Sequence, residues 1–200
     1  MRSVRVQLAA CVGLAAAIRL AAYDVGPIQR ADVSLLEELD HPGARVHRIA
    51  EVLISPFDPL PYLLVTMVVL VAAMLGGRAR TGIIAVGAMG AAAVTTQLLK
   101  HAVAEPRPQA AGLDLPADAW PSGHTTAAAA LAVAFVLITP PGRRRIVALV
   151  AAAGAALVAG ALFVLGHHYP SDVVGGLCVA AAWGAIAAEL TRRRSRQAAS

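Results

Sequence analysis

The feature that most constrains this chain is a series of long apolar runs separated by short polar segments. Each run is close to 20 residues long, which is the length of α-helix that crosses about 30 Å of hydrocarbon. With 58% hydrophobic and 14% charged residues, the 200-residue chain differs clearly from a soluble domain. The sequence therefore predicts an all-α, polytopic bundle of six transmembrane helices in a single integral membrane domain, residues 1–200. The predicted helices cover roughly residues 4–22, 60–76, 81–99, 123–139, 146–165 and 172–190.

The first apolar run has two interpretations. Arg2 and Arg5 precede it and its end is rich in alanine, as in a secretory signal peptide. However, Arg19 interrupts the apolar core of the run. This interruption favours retention of the run as the first membrane helix.

The segment between the first two runs, residues 23–59, is amphipathic. Apolar residues recur in it at loosely helical spacing, and polar residues including Asp32 and Glu37 fill the gaps. Such a pattern is typical of helices that lie in the membrane interface with one face in the lipid. We expect one or two amphipathic helices on the membrane surface here.

The basic residues are distributed unevenly between the connections. If the chain simply alternates across the membrane, eleven arginines fall on the side that holds both termini, in short connections. The positive-inside rule then places both termini in the cytoplasm. The net charge of +5 is explained by this orientation signal, so nucleic-acid binding is not expected. The two cysteines, Cys11 and Cys178, lie inside apolar runs without a Cys-x-x-Cys pair, and we expect neither a disulfide nor a zinc site.

Three polar clusters follow or precede the predicted helices at the side opposite the termini. The first is Lys100 followed seven residues later by Arg107 and then Pro108. The second is the run 121–124, Pro-Ser-Gly-His, and the third pairs His168 with Asp172. The alternation of the helices places all three clusters at one membrane face, and this convergence follows from topology alone.

The residue types in the first two clusters are suited to binding an anion. Arginine can hold phosphate oxygens in a two-pronged contact, and lysine contributes a compact charge. Ser122 and Gly123 stand where the fourth helix begins, and the free amides of a helix start attract anions. Lys100, Arg107, Ser122 and Gly123 are therefore candidates for binding an anion such as phosphate.

The histidines suit covalent catalysis. His168 can act as a nucleophile if a carboxylate holds its other ring nitrogen, and Asp172 is the candidate for that role. His124 can then serve as general acid for the leaving oxygen and general base for water. Taken singly, each cluster could instead be an ordinary membrane boundary or helix cap. Together, with Lys100 the only lysine of the chain, they favour a catalytic site.

The three clusters resemble the signature of the type 2 phosphatidic acid phosphatase (PAP2) and vanadium haloperoxidase superfamily. That signature is Lys-x6-Arg-Pro, then Pro-Ser-Gly-His, then Ser-Arg-x5-His-x3-Asp. The resemblance implies the same roles for the seven residues named above, a phosphohistidine intermediate, and no metal or cofactor. One position departs from the signature, because its Ser-Arg falls on Ala161 and Leu162. His167 and His101 are possible auxiliary donors that could replace the missing arginine.

The resemblance predicts a bacterial inner-membrane enzyme that hydrolyses a lipid phosphate at the outer face. Polyprenyl diphosphate or a polyprenyl-phosphate sugar phosphate is the favoured substrate, with phosphatidylglycerol phosphate and phosphatidic acid as others. The missing arginine leaves open an alternative, a weak or inactive protein of the same fold that binds anionic lipids. A vanadate-dependent peroxidase suits a small polytopic chain less well. A transporter is disfavoured because no helix is broken at mid-membrane by charge.

Overall fold

The computed structural model describes residues 2–39, 43–103, 105–107 and 115–197. Within these ranges the chain forms eight α-helices and two short 3-10 helices, at Ser55–Phe57 and Pro141–Arg143, with no strand. The α-helices are α1 (Arg2–Asp24), α2 (Gly26–Leu39), α3 (Ala44–Ile54), α4 (Pro59–Leu75), α5 (Ala79–Val103), α6 (Gly123–Ile138), α7 (Arg144–Val164) and α8 (Pro170–Gln197).

Helices α5, α6 and α8 pack against one another at the centre of the bundle. Helix α1 lies against α8, α4 against α5, and α7 against α6. Small side chains such as Ala92, Ala130 and Ala134 fill the centre and let the helices approach closely. Hydrogen bonds between side chains add to this packing, as between Trp183 Nε1 on α8 and Thr95 Oγ1 on α5, 3.0 Å apart.

The outward faces of the bundle are apolar, as a lipid environment requires. Large aliphatic side chains on α4 and α7 are more than 60% exposed, among them Leu64, Val68, Leu149 and Val150. In water such a surface would be an association site. Together with the length of the helices, it identifies a multi-pass membrane protein.

The number of membrane-spanning helices is not fixed by length and composition. Helices α1, α5, α7 and α8 each qualify as spans, and α3 with α4 forms a fifth if the bent pair counts as one. Helix α6 is apolar but only 16 residues long. The six runs of the sequence correspond to α1 and α4–α8, but six spans remain a prediction.

The amphipathic segment forms two helices, α2 and α3, of which α3 packs against α7. Helix α3 and its short 3-10 extension meet α4 at an angle of 60°. On α2, Asp32 is only 7% exposed and lies on the same face as the fully buried Leu36. Unlike the exposed polar residues of the amphipathic segment, Asp32 therefore points inward, and its partners lie inside the protein.

Candidate active site

His168 and Asp172 are joined by a direct contact at the start of α8. His168 Nδ1 lies 3.3 Å from Asp172 Oδ2, and the Tyr169 amide donates to the same oxygen at 3.0 Å. Asp172 is fully buried, and the His168 side chain is about one-tenth exposed. A carboxylate at Nδ1 fixes the proton there and leaves Nε2 as the basic nitrogen. This arrangement is chemically suited to an attack by His168 Nε2 on an electrophile.

Arg107 is bound to two buried carboxylates. It donates to Asp172 Oδ1 at 2.8 Å and to Asp32 Oδ2 at 3.1 Å, and also to Ser171 Oγ at 2.9 Å. The guanidinium carbon lies 4.1 Å from the centre of the Tyr169 ring, and the side chain is 7% exposed. Arg107 thus fixes the orientation of Asp172, whereas the sequence predicts contact with phosphate.

Asp32 is a site residue that the sequence analysis did not identify. Its carboxylate accepts hydrogen bonds from the amide and the hydroxyl of Ser171, the amide at 3.0 Å. Burial raises the pKa of Asp32, although the Ser171 hydrogen bonds and the Arg107 charge oppose this rise. Through Ser171 and Arg107, Asp32 attaches α2 to the start of α8. An acidic residue four positions before Leu36, on the face of that inward-facing leucine, is the signal that could have identified it.

Ser122 caps α6 and ties it to α8. Its hydroxyl accepts from the Thr125 amide at 3.3 Å, and its own amide donates to the Asp172 carbonyl at 2.9 Å. Ser122 is fully buried. Gly123 differs, because a Cβ added there would meet no atom within 4 Å. Space for a ligand is therefore open beside Gly123, at the positive end of the helix dipole.

Two glycines of α8 allow this close approach. A Cβ on Gly176 would lie 2.7 Å from the Ser122 carbonyl oxygen, and one on Gly175 would lie 2.6 Å from Trp120 Nε1. Larger residues at either position would push α8 away from the segment that carries Ser122. The Gly175–Gly176 pair thus sets the distance between the second and third polar clusters.

Lys100, near the end of α5, holds the loop that leads into α6. Its ammonium group donates to the carbonyls of Asp118 and Ala119, the latter at 3.3 Å. Asp118 and Asp172 are its carboxylate neighbours. His101 beside it is exposed. The contacts of the described residues do not join His101 to the other site residues, and Pro108 of the first cluster lies outside the described ranges.

His124 also has a carboxylate partner, which the sequence analysis did not identify. His124 Nε2 lies 3.1 Å from Asp58 Oδ1. His168 and Lys100 are further charged or titratable neighbours of this imidazole. The second histidine therefore lies close to the first, and each contacts an aspartate.

The position of the missing arginine is filled by packing. Leu162 is fully buried in a cluster with Ala50 and Ile54 of α3 and Val158 of α7. Helix α3 thus covers the place from which an arginine side chain would extend. His167 is exposed, but partial desolvation lowers its pKa, and the neighbouring His168 and His124 lower it further. A lowered pKa makes a protonated His167 less available near neutral pH, so it is a poor substitute for arginine.

Comparison with known proteins bears on the fold and on the family. The chain superposes with a TM-score of 0.79 on the crystal structure of the first transmembrane PAP2 type phosphatidylglycerolphosphate phosphatase from Bacillus subtilis. The two chains are 19% identical, and the superposition covers 96% of this chain and 98% of the other. At this identity the likeness shows the fold. A comparison with curated proteins gives no match.

The family model described as PAP2 superfamily matches residues 81–196, more than half of the chain. The matched region runs from α5 to α8 and contains the three polar clusters. Asp32 and Asp58 lie outside it. This chain belongs to the PAP2 superfamily.

Proposed function

We propose that this protein is a membrane lipid phosphatase that hydrolyses a lipid phosphate or diphosphate through a phosphohistidine on His168. Family membership supports hydrolysis of phosphate esters. The observation that carries the proposal is the contact of His168 Nδ1 with the fully buried Asp172, which leaves Nε2 to react. A carboxylate-held imidazole beside an open helix start is suited to nucleophilic attack on phosphorus.

The reaction proceeds in two displacements. His168 Nε2 attacks phosphorus, a P–N bond forms, and the bond from phosphorus to the leaving oxygen breaks as His124 donates a proton to that oxygen. Water then attacks phosphorus and gives a proton to His124, and the P–N bond breaks. His168 returns to its neutral form with Nδ1–H directed to Asp172. Removing a positioned acid or base of this kind typically slows such steps about 10²–10⁴-fold.

The negative charge of the phosphate is balanced by groups at the end of α5 and at the start of α6. We assign binding to Lys100, Arg107, Ser122 and Gly123, and support comes from the open space at Gly123. Arg107 contributes by fixing the orientation of Asp172. For Arg107 to contact phosphate directly, one of its N–H groups would have to release the carboxylate of Asp32 or Asp172. The reaction as proposed needs no metal, and unchanged activity after treatment with EDTA is the expected result.

A lipid is the substrate class that fits a site on one end of an apolar bundle. The lipid tails remain beside the outward faces of α4 and α7, which carry large aliphatic side chains. Polyprenyl diphosphate and polyprenyl-phosphate sugar phosphates are our favoured substrates, followed by phosphatidylglycerol phosphate and phosphatidic acid. The similar Bacillus subtilis structure is described as a phosphatidylglycerolphosphate phosphatase, which makes that lipid a necessary member of any test.

We further propose that the chain is one domain in a bacterial inner membrane, with cytoplasmic termini and an outward site. The structure supports a common face for two of the arginine-bearing connections, because Arg78 and Arg144 both donate to the Thr139 carbonyl. A topology reporter after Ser200 should behave as cytoplasmic and one near residue 114 as external. The opposite pattern would place the site inside the cell.

Release of inorganic phosphate from a panel of lipid phosphates in detergent tests the function. The wild type should hydrolyse at least one of them, and the matched His168→Ala protein should hydrolyse none. Trapping of labelled phosphate on a residue other than His168 would overturn the mechanism. The panel also ranks polyprenyl against glycerolipid substrates.

The second candidate function is binding of an anionic lipid without turnover. Two observations favour it: Leu162 occupies an arginine position, and Arg107 is bound to Asp32 and Asp172. Removing one charged donor from a transition-state site costs on the order of 3 kcal/mol. A folded wild type that binds lipid phosphates but releases no phosphate from the panel would establish this function instead.

A further inference from the structure

The side chain of Asp58 contacts a histidine of another helix and not the start of its own helix. It is the residue that caps the start of α4, where an aspartate normally accepts a hydrogen bond from a backbone amide of the first turn. Its side chain makes no such bond. Instead its carboxylate lies 3.1 Å from His124 Nε2 on another helix. Pro59 and Pro61, the first and third residues of α4, have no backbone N–H to donate to Asp58, and its carboxylate contacts the second histidine of the site.

The backbone around Asp58 is fixed against α6. Tyr62, one turn further along α4, donates from its hydroxyl to the Ala127 carbonyl at 3.4 Å. The Phe57 ring packs on the Tyr62 ring with centres 6.5 Å apart. Because Asp58 stands at the 60° bend between these attached elements, its carboxylate reaches His124 from a defined direction.

The other neighbours of His124 oppose its protonation. Lys100 of α5 is a cation, and His168 before α8 becomes positive whenever it is protonated. His167, in the same connection, is a further histidine within electrostatic reach. Among the described residues, Asp58 is the carboxylate that contacts the imidazole and favours its protonated form against these charges.

We infer that Asp58 is a positioning residue that orients His124 and stabilises its imidazolium form, so that His124 can protonate the leaving oxygen. The inference rests on the proposed phosphatase function. With Nε2 held by Asp58, Nδ1 is the nitrogen that exchanges the proton with the leaving group. The Asp58 side chain is half exposed and that of His124 one-quarter exposed, so the pair can also exchange protons with water.

Asp58→Asn is the sharpest variant, because asparagine removes the charge and keeps the shape of the side chain, and no cap hydrogen bond of the Asp58 side chain is lost. Glu51→Gln is the matched control, since it removes one carboxylate from α3, before the same bend, where Glu51 pairs with His47 at 3.7 Å. Asp58→Glu keeps the charge and should restore part of any loss. Thermal unfolding in detergent checks that all three proteins are folded.

Leaving-group dependence separates positioning from a structural role. An alkyl phosphate needs a proton on its leaving oxygen, whereas p-nitrophenolate leaves without one. For Asp58→Asn we expect kcat on an alkyl lipid phosphate to fall about 10-fold or more. A positioned proton donor typically contributes about 10²–10⁴-fold to the rate, so a loss of this size is consistent with weakened proton transfer. On p-nitrophenyl phosphate kcat should change less than about 3-fold, since little acid catalysis is lost. Glu51→Gln should match the wild type on both substrates.

The pH profile gives a second readout. Loss of the carboxylate destabilises the imidazolium, so the alkaline limb of kcat for the alkyl substrate should move to lower pH in Asp58→Asn and not in Glu51→Gln. An equal loss on both substrates with an unmoved limb would overturn the inference.

A direct titration keeps the inference separate from the proposed function. Imidazole NMR signals of His124, assigned by their absence in His124→Gln, should titrate at lower pH in Asp58→Asn than in the wild type. This holds even if the wild type releases no phosphate, in which case only the proposed function fails. Identical His124 titration in both proteins would overturn the role of Asp58.

Discussion

The two histidine–aspartate pairs of this protein differ in burial. His168 and Asp172 have side chains that are 10% and 0% exposed, and a buried ion network surrounds them. His124 and Asp58 are 25% and 50% exposed, and Asp58 stands at a bend between two helices. A covalent nucleophile must be held in one orientation, whereas a proton donor must be recharged from water. The difference in burial matches the difference in the proposed roles.

The pairs also differ in how they are supported. The partners of Asp172 are Arg107 and, through it, Asp32, so loss of Arg107 leaves two buried carboxylates without their cation and loss of either aspartate leaves Arg107 with one carboxylate. Unpaired buried charges are strongly destabilising. Asp58 lies near water, which can solvate either member of its pair. We therefore expect substitutions in the buried pair to have the larger effects, and the following experiments test that order.

The largest effect is expected for His168→Ala. Because no neighbouring group can form the covalent bond from the same position, phosphate release should fall to the background rate while the protein stays folded. Rapid quench with labelled substrate should show phosphate on the wild type and none on the variant. Turnover within 10-fold of the wild type would exclude His168 as the nucleophile.

Asp172→Asn should be the next largest, with kcat reduced about 10³–10⁴-fold if the pair behaves as in a catalytic triad. Asparagine cannot stabilise the imidazolium and leaves Arg107 with one carboxylate. The comparison is with Asp58→Asn under the same conditions. If the two variants lose activity equally, burial does not distinguish the pairs.

Leu162→Arg tests whether the missing arginine can be restored. The side chain would enter the cluster of Ala50, Ile54 and Val158, where the structure offers apolar contacts. We expect loss of several kcal/mol of stability, since a buried cation without a partner is costly. Thermal unfolding measures this, with Leu162→Met as the control of similar volume. A stable variant with higher activity would instead show that α3 can move aside to accommodate the arginine side chain.

Asp32→Asn should have a moderate effect. Burial raises the pKa of Asp32 in the folded state above its ordinary value of 3.8. The Asp32 carboxyl therefore stabilises the folded state fully below pH 3.8, and this stabilisation is lost as the pH rises through the folded-state pKa. The ionised form is therefore held at some expense near neutral pH, and its loss should reduce kcat about 10-fold or less, far below Asp172→Asn. Unfolding followed between pH 3.5 and 7, with Glu38→Gln as an exposed control, should show a flatter pH dependence in Asp32→Asn.

The smallest effect is expected for His167→Ala. Because its pKa is lowered, His167 is uncharged near neutral pH and cannot replace an arginine. Activity at pH 7.5 should change less than about 3-fold, with any loss confined to pH values below the ordinary histidine range. A profile in which His167→Ala removes most activity and flattens the limb that falls with rising pH would restore the hypothesis that His167 compensates.

Much of this protein can be predicted from the sequence. The apolar runs indicate helices that correspond to α1 and α4–α8, because hydrocarbon accepts polypeptide only when its backbone bonds are satisfied internally. The polar clusters that contain His168, Asp172 and His124 are local patterns of residue type and spacing. Their meeting at one end of the bundle follows from the alternation of helices, and the resemblance to the family depends on them.

The docking of α2 and α3 could not be predicted in this way. An amphipathic pattern gives the face that avoids water, but the element it packs against depends on the whole bundle. Only the tertiary structure turns Asp32 inward to Ser171, brings Asp58 to His124, and buries Leu162 beneath α3. These contacts join residues 66 to 139 positions apart in the sequence. Hydropathy and motif spacing are properties of neighbouring residues, whereas these pairings are chosen by the shape and charge of surfaces formed only after the helices assemble.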